Sequence, residues 1–155
     1  MYDISKEAKE NIEEETITVL ADKGYHTGKE LQACQNENID TIVARQEIVN
    51  SNEKGTQPEY LVQHFVYDKT TDTYQCPQGE TLSTTGKLHN KKRDKDVSYL
   101  FKKYRTSACN TCPVKHLCTG RHDGRREIER SEYAEAVERN KTNYEANKAL
   151  YRKRQ

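Results

Sequence analysis

Apolar and polar positions fall into three regimes along this chain, and the first is the most regular. Ile17-Thr18-Val19-Leu20-Ala21 is a short, β-branched apolar run that stops at Asp22, with Lys23-Gly24-Tyr25 following as a turn. The pattern predicts a buried strand over 17–21 holding one carboxylate at its carboxyl end, where α/β sheets place their chemistry. A turn or helix-capping acid is the competing reading of Asp22. Thr27-Gly28-Lys29-Glu30 has the spacing of a capping box and predicts a helix to about Gln35, with Leu31 and Cys34 on its inner face. Thr41–Ala44 predicts the next strand, so the three elements form a β-α-β unit with parallel strands. Upstream, Ser5 is expected to cap a helix reaching about Glu15.

The pattern changes after Arg45. Residues 46–58 are rich in Asn, Ser, Gly and Gln and predict a loop or linker. Tyr60–Tyr67 reads as a strand, 68–72 as a turn, and Thr73-Tyr74-Gln75 as the return of a hairpin toward Cys76. Residues 83–97 are polar and basic and are expected to be a mobile segment, followed by a strand over Ser98–Tyr104. The third regime is helical. From Ser131 to the end, Tyr133, Val137, Tyr144 and Tyr151 recur at spacings of four, seven and seven, predicting one long helix with a narrow aromatic stripe.

Composition narrows the class. Of 155 residues, 32% are hydrophobic and 33% charged, a thin core for this length that suits a fragment or a domain packed on a larger body. No 18-residue apolar run predicts a membrane span, and the charged first fifteen residues do not resemble an export signal, so a cytoplasmic location is expected. The net charge of +1 hides an asymmetry. Residues 1–40 hold ten acids and four bases, whereas residues 86–106 hold eight bases and two acids. A basic block of that kind suits phosphate neutralisation or a solvated loop.

Five cysteines are present. Cys34 belongs to a helix face and reads as core. Cys76, Cys109, Cys112 and Cys118 form a C-x32-C-x2-C-x5-C pattern flanked by turn residues. A C-x2-C turn lets two sulfurs face one tetrahedral ion, and a metal would supply folding energy that so polar a segment lacks. Structural zinc, two disulfides and a four-iron cluster all remain open, with His116 and His122 near enough in sequence to replace a cysteine.

Three motifs then carry a resemblance. They are Leu20-Ala21-Asp22-Lys23-Gly24-Tyr25, then Tyr74-Gln75-Cys76-Pro77-Gln78-Gly79-Glu80-Thr81-Leu82, then Cys109-Asn110-Thr111-Cys112-Pro113 with Cys118. In this order they resemble the later part of a bacterial insertion-sequence DDE transposase, of the group with a cysteine-rich insertion. The resemblance implies an α/β chain with a partial ribonuclease H-like core. Residues 1–45 would form a strand-helix-strand part of that core, 46–130 a β-rich, metal-stapled cysteine insertion, and 131–155 a long core helix leading to the catalytic Glu. Among the family's acids, in the order Asp, Asp, Glu, Asp22 would be the second. Tyr151 and Arg154 match a signature of Tyr, two residues, Arg, three residues, Glu. That Glu would fall three positions past Gln155 and the first Asp before Met1, so the chain is expected to be a fragment, inactive alone.

The implied function is divalent-metal-dependent DNA cleavage and strand transfer during transposition. Asp22 would bind Mg²⁺ or Mn²⁺, and structural Zn²⁺, with an iron–sulfur cluster as the alternative, would sit on Cys76, Cys109, Cys112 and Cys118. Transposon-end DNA and a second copy of the chain are the expected partners. Tyr151 and Arg154 would contact DNA phosphate or orient the Glu, and Lys91, Lys92, Arg93, Lys102, Lys103 and Arg105 are the candidate phosphate contacts of the insertion. A non-catalytic zinc-stabilised DNA-binding module is the main rival. It would bind DNA in a salt-sensitive way and be indifferent to Asp22. An iron–sulfur accessory domain would be coloured. A pure interaction protein would oligomerise through the tyrosine stripe and bind no nucleic acid.

Overall fold

The structure is a computed structural model describing residues 1–45, 55–94, 97–120 and 124–154, the side chains of 93 and 94 and that of 97 excepted. The chain divides into two compact units, Met1–Glu47 with Tyr133–Gln155, and Ile48–Glu132.

In the first unit, helix α1 (Tyr2–Asn11) precedes strand β1 (Ile17–Ala21), helix α2 (Gly28–Asn36) and strand β2 (Ile39–Val43). β1 and β2 pair in parallel, from Ile17 with Ile39 to Ala21 with Val43. The β-α-β pattern therefore exists, but β1 is half-buried with Thr18 exposed rather than buried, and β2 begins two residues before Thr41 and ends one before Ala44. Thr27 caps α2 through its hydroxyl, which accepts from the Glu30 N–H at 3.4 Å. The reciprocal half of the box is replaced, because the Glu30 carboxylate accepts from the Tyr2 N–H at 2.8 Å and the Thr27 N–H donates to the Tyr25 carbonyl. α2 ends at Asn36, and the chain turns out of it through Asn38, whose φ of 54° is the left-handed position that Asn tolerates. Leu31 and Cys34 are buried as the pattern requires, beside Val43 and Ala136. The close approach of α2 to the C-terminal helix depends on Gly28, where a Cβ would stand 2.6 Å from that of Tyr133.

Two expectations for this unit need correction. Ser5 does not cap α1. It lies inside the helix with its hydroxyl donating to the Met1 carbonyl at 2.9 Å, and the helix ends before Glu13, whose φ is 55°. The long C-terminal helix is two helices. β8 (Ile128–Ser131) takes the residues where it was expected to begin, and α4 (Ala134–Ala146) and α5 (Lys148–Lys153) are separated at Asn147. The Asn147 amide donates back to the Asn143 carbonyl at 2.8 Å, a local side-chain bond of the kind that competes with helix propagation. The buried line of α4 also differs from the tyrosine stripe, running through Ala136 and Asn140. Asn140 is 1% exposed, and its amide both accepts from the Val43 N–H and donates to the Val43 carbonyl, each at 2.9 Å. Asn143 adds a 3.4 Å bond to the Thr41 carbonyl.

The second unit is built on antiparallel strands: β3 (Val66–Asp68), β4 (Thr73–Gln75), β5 (Thr81–Thr84), β6 (His89–Asp94), β7 (Val97–Arg105) and β8, with the short helix α3 (Lys115–Cys118) between β7 and β8. The β3–β4 hairpin and the β7 strand match the alternating pattern. Tyr60–Tyr67 is not one strand. Pro58–Tyr60 and Val62–His64 are 3-10 turns, and only Val66 onward pairs. Nor is 83–97 an unstructured segment, since β6 pairs with β7 from His89 opposite Phe101 to Asp94 opposite Val97. A lysine-rich edge strand carries no apolar alternation, because its charges keep other strands from adding to it. The predicted loop or linker over 46–58 lies outside the described residues from 46 to 54.

Phe65, Tyr74, Leu82, Tyr104 and Ile128 form the core of this unit. Tyr74 meets Tyr67 and Tyr104 with ring centroids 5.0 Å apart in each pair. Asp72, at φ 50° in the hairpin turn, ties this cluster together. One oxygen accepts from Tyr67 at 2.8 Å and Tyr104 at 2.6 Å, and the other accepts from the Lys102 ammonium at 2.7 Å. Lys102 first, then Tyr104 and Tyr67, hold the Asp72 carboxyl down to about 2. A depressed carboxylate contributes stability above its unfolded pKa of about 4 and loses it as pH falls toward the folded value. Asp72→Asn is expected to cost about 1–2 kcal/mol at pH 7, the discount reflecting a one-third-exposed side chain. It should also flatten the decline of the urea midpoint between pH 4 and pH 2, and an undiminished decline would assign acid sensitivity elsewhere.

Candidate functional site

Asp22 combines its two sequence readings. It ends β1 in extended geometry and also caps the turn Lys23–Tyr25, one oxygen accepting from the Lys23 N–H at 2.6 Å. The residue is exposed, and its second oxygen has no protein partner among the described residues. Four residues on, burial pushes the His26 imidazole below its ordinary value.

Helix α5 comes to this strand end. The Tyr151 hydroxyl donates to the Ala21 carbonyl at 3.3 Å, one residue before Asp22, and its ring meets Tyr144 edge-on at 5.1 Å. Tyr151 is buried and faces the strand rather than solvent. Arg154 is exposed and follows Arg152 and Lys153 in a basic helix end, where cations complement the helix dipole.

Four of the six candidate basic residues of the second unit face carboxylates. Lys91 pairs with Glu129 at 2.6 Å, Lys102 with Asp72, Lys103 with Glu127 at 3.0 Å, and Arg105 with the same Glu127. Against the effect of its burial, Lys103 and Arg105 hold the Glu127 carboxyl below its ordinary value. Lys92 is exposed with no ion pair among the described residues, and the Arg93 side chain lies outside them. Glu127 and Glu129 sit on or beside β8, the strand that the helical reading of 131–155 did not anticipate. Their acidic alternation with Arg126, Ile128 and Arg130 was the available signal.

Cys76, Cys109, Cys112 and Cys118 converge on one cavity, bordered also by Tyr60, Phe65 and Arg126. None is in a disulfide. Short turns bring them there. Cys76 opens a turn closed by the Gly79 N–H on its carbonyl at 2.8 Å, Cys109 lies in the 3-10 turn Ser107–Asn110, and Cys118 ends α3. Burial raises the Cys118 thiol, Arg126 pulls it down, and Cys109, Cys76 and Cys112 push it up again. Among the described residues no three His, Cys, Asp or Glu side chains stand close enough to hold a metal ion. In donor chemistry and placement the four thiols fit a soft ion. In distance they are splayed around the cavity rather than drawn to a centre. Exposed His116 is on α3, and His122 lies outside the described residues.

A family model described as a transposase DDE domain matches residues 75–155. The chain belongs to the DDE transposase domain family. The match spans just over half of the chain, taking in the four cavity cysteines, Tyr151 and Arg154 but not Asp22. No curated protein and no solved structure matches it. A transposase-type function, action on DNA and a general use of divalent metal ions follow from family membership. No helix among the described residues is long and apolar enough to cross a membrane.

Proposed function

We propose that this chain is part of a transposase catalytic domain that cleaves transposon-end DNA and joins its strands, with Asp22 as one of three metal-binding acids on a ribonuclease H-like core. The observation that carries this reading is the bond from Tyr151 to Ala21. It sets the Tyr151–Arg154 segment against the strand end that presents Asp22. A parallel β1–β2 pair with the C-terminal helices packed on it supports a partial core of this class.

When bound, Mg²⁺ or Mn²⁺ supplies activation of the attacking oxygen and stabilisation of the leaving one. The residues present have narrower tasks. Asp22 offers one carboxylate oxygen outward while the other holds its own turn. Tyr151 fixes the height of the strand end, and Arg154 offers an exposed cation to a DNA phosphate. Among the candidate contacts with described side chains in the second unit, Lys92 is the one that faces no carboxylate, and it offers itself for the same task. Lys91, Lys102, Lys103 and Arg105 would first have to leave their carboxylates. The Cys-bearing unit reads as an insertion in the core whose cavity closes around structural zinc, Cys76, Cys109, Cys112 and Cys118 being the ligands. A second copy of the chain and a bacterial cytoplasmic setting complete the reading.

Asp22→Asn tests the assignment. Strand cleavage by a transposase carrying all three acids should disappear while DNA binding persists, and retained cleavage would refute the role. Zinc is tested separately by elemental analysis of the reduced chain. About one ion per chain, lost in the Cys109→Ser/Cys112→Ser double variant, is the expected result; a metal-free chain after zinc-supplemented expression would contradict it.

A further inference from the structure

A zinc ion held by four cysteines leaves a charge that the rest of the cavity must balance. Zn²⁺ displaces one proton from each thiol, so four protons leave and the centre carries a net charge of −2. Its walls are largely apolar, with Tyr60, Phe65 and Leu82 among them. An uncompensated anion there is unfavourable.

Arg126 answers that need. Its side chain borders the same cavity as the four sulfurs. One Nη donates to the Tyr60 carbonyl at 3.3 Å, and the guanidinium carbon lies 5.4 Å from the Phe65 ring centroid. These contacts fix the group at the cavity wall. Its Nε–H is fully buried and has no hydrogen-bond partner among the described residues. No carboxylate among those residues pairs with Arg126 either. Glu127, next in the chain, turns to Lys103 and Arg105 instead. A half-buried arginine whose buried Nε–H is idle beside four thiols is an incomplete arrangement, since buried donors are nearly always satisfied.

We propose that Arg126 is the outer-shell counter-charge of the four-cysteine centre, its Nε–H donating to a zinc-bound thiolate. Half-buried Lys115, on the same cavity, is the second cation within reach, and Glu80 is the carboxylate on that wall opposing them. This inference rests on the zinc reading. It adds to that reading a residue that touches no metal yet sets how tightly the metal is held. Outer-shell partners of this kind typically change metal affinity by about 10–100-fold.

The test uses the whole chain, reduced, with Zn²⁺ and Co²⁺ as probes. Wild type, Arg126→Gln and Arg126→Lys are titrated against a chromophoric chelator across pH. The Co²⁺-loaded forms are compared by their thiolate-to-metal charge-transfer bands. Arg126→Gln is expected to keep one ion per chain, bind it about tenfold or more weakly, release it at higher pH on acidification, and shift the charge-transfer band. Arg126→Lys should recover part of the affinity, because it restores the charge without the directed N–H. Affinity, release pH and cobalt spectrum all unchanged in Arg126→Gln would overturn the role of Arg126 while leaving the zinc centre standing. A wild-type chain that binds neither ion overturns both. Should Arg126→Gln fail to fold, Arg126→Lys decides: a cobalt spectrum and affinity identical to wild type rule out a directed N–H to sulfur.

Discussion

Asp22→Asn is expected to abolish metal-dependent strand cleavage, in an enzyme holding all three acids, without unfolding the chain or releasing DNA. The structure makes this substitution unusually clean. The capping oxygen of Asp22 accepts from the Lys23 N–H, and an amide oxygen accepts in the same way. The side chain is exposed, so no buried partner is orphaned. What changes is the charge and the second oxygen. If Asp22 holds divalent metal, a neutral amide there would neither balance its charge nor supply an anionic ligand, and a loss confined to the chemical step would show as a fall in rate at constant DNA affinity. The measurement is cleavage of end-bearing DNA in Mg²⁺ and Mn²⁺, alongside a binding titration. Equal losses of binding and cleavage would instead point to a DNA-contact role for this acid.

Asn140→Ala is expected to be the most destabilising single substitution of the first unit, by about 3–4 kcal/mol in urea unfolding. It strands two buried backbone groups of Val43 at once, each costing about 1–3 kcal/mol when unpaired, and leaves a small cavity. Total stabilities of about 5–15 kcal/mol make that a large fraction. Asn140→Leu should do no better although it is nearly isosteric and apolar, because Val43 stays unpaired. Asn140→Asp should also fail, since a carboxylate accepts from the Val43 N–H but has nothing to donate to its carbonyl. A loss below about 1 kcal/mol in the alanine variant would mean that water replaces the amide and that the position is less enclosed than its 1% exposure implies.

These two residues mark what a sequence reading reaches. β1, α2 and β2 are legible because strand propensity, capping and the burial of Leu31, Cys34, Ile42 and Val43 agree, even though β1 itself is only half-buried. Asp22 stands out because an acid ends an apolar run. Asn140 does not, because an Asn inside a charged helix looks like solvent-facing surface. The signal was one of spacing: Asn140 and Asn143 stand three apart on one helix face, and both bond the backbone of β2. β6 was hidden for the opposite reason. Its residues are polar on every position described, and its place is decided by the partner strand β7 rather than by its own pattern. The cysteines were legible as a set because their turns are local. Arg126 was not, since its fixed position depends on the Tyr60 carbonyl sixty-six residues away.

The amides of α4 also decide how copies of the first unit can meet. Fibre growth through strand addition needs two open edges per molecule, one to receive and one to offer. With Asn143 on Thr41 and Asn140 on Val43, β2 has no free ladder at its carboxyl end. Among the described residues β1 pairs with no strand but β2, so its outer side carries no strand partner there. Strand pairing by another chain would therefore be expected at the outer side of β1 rather than at the carboxyl end of β2.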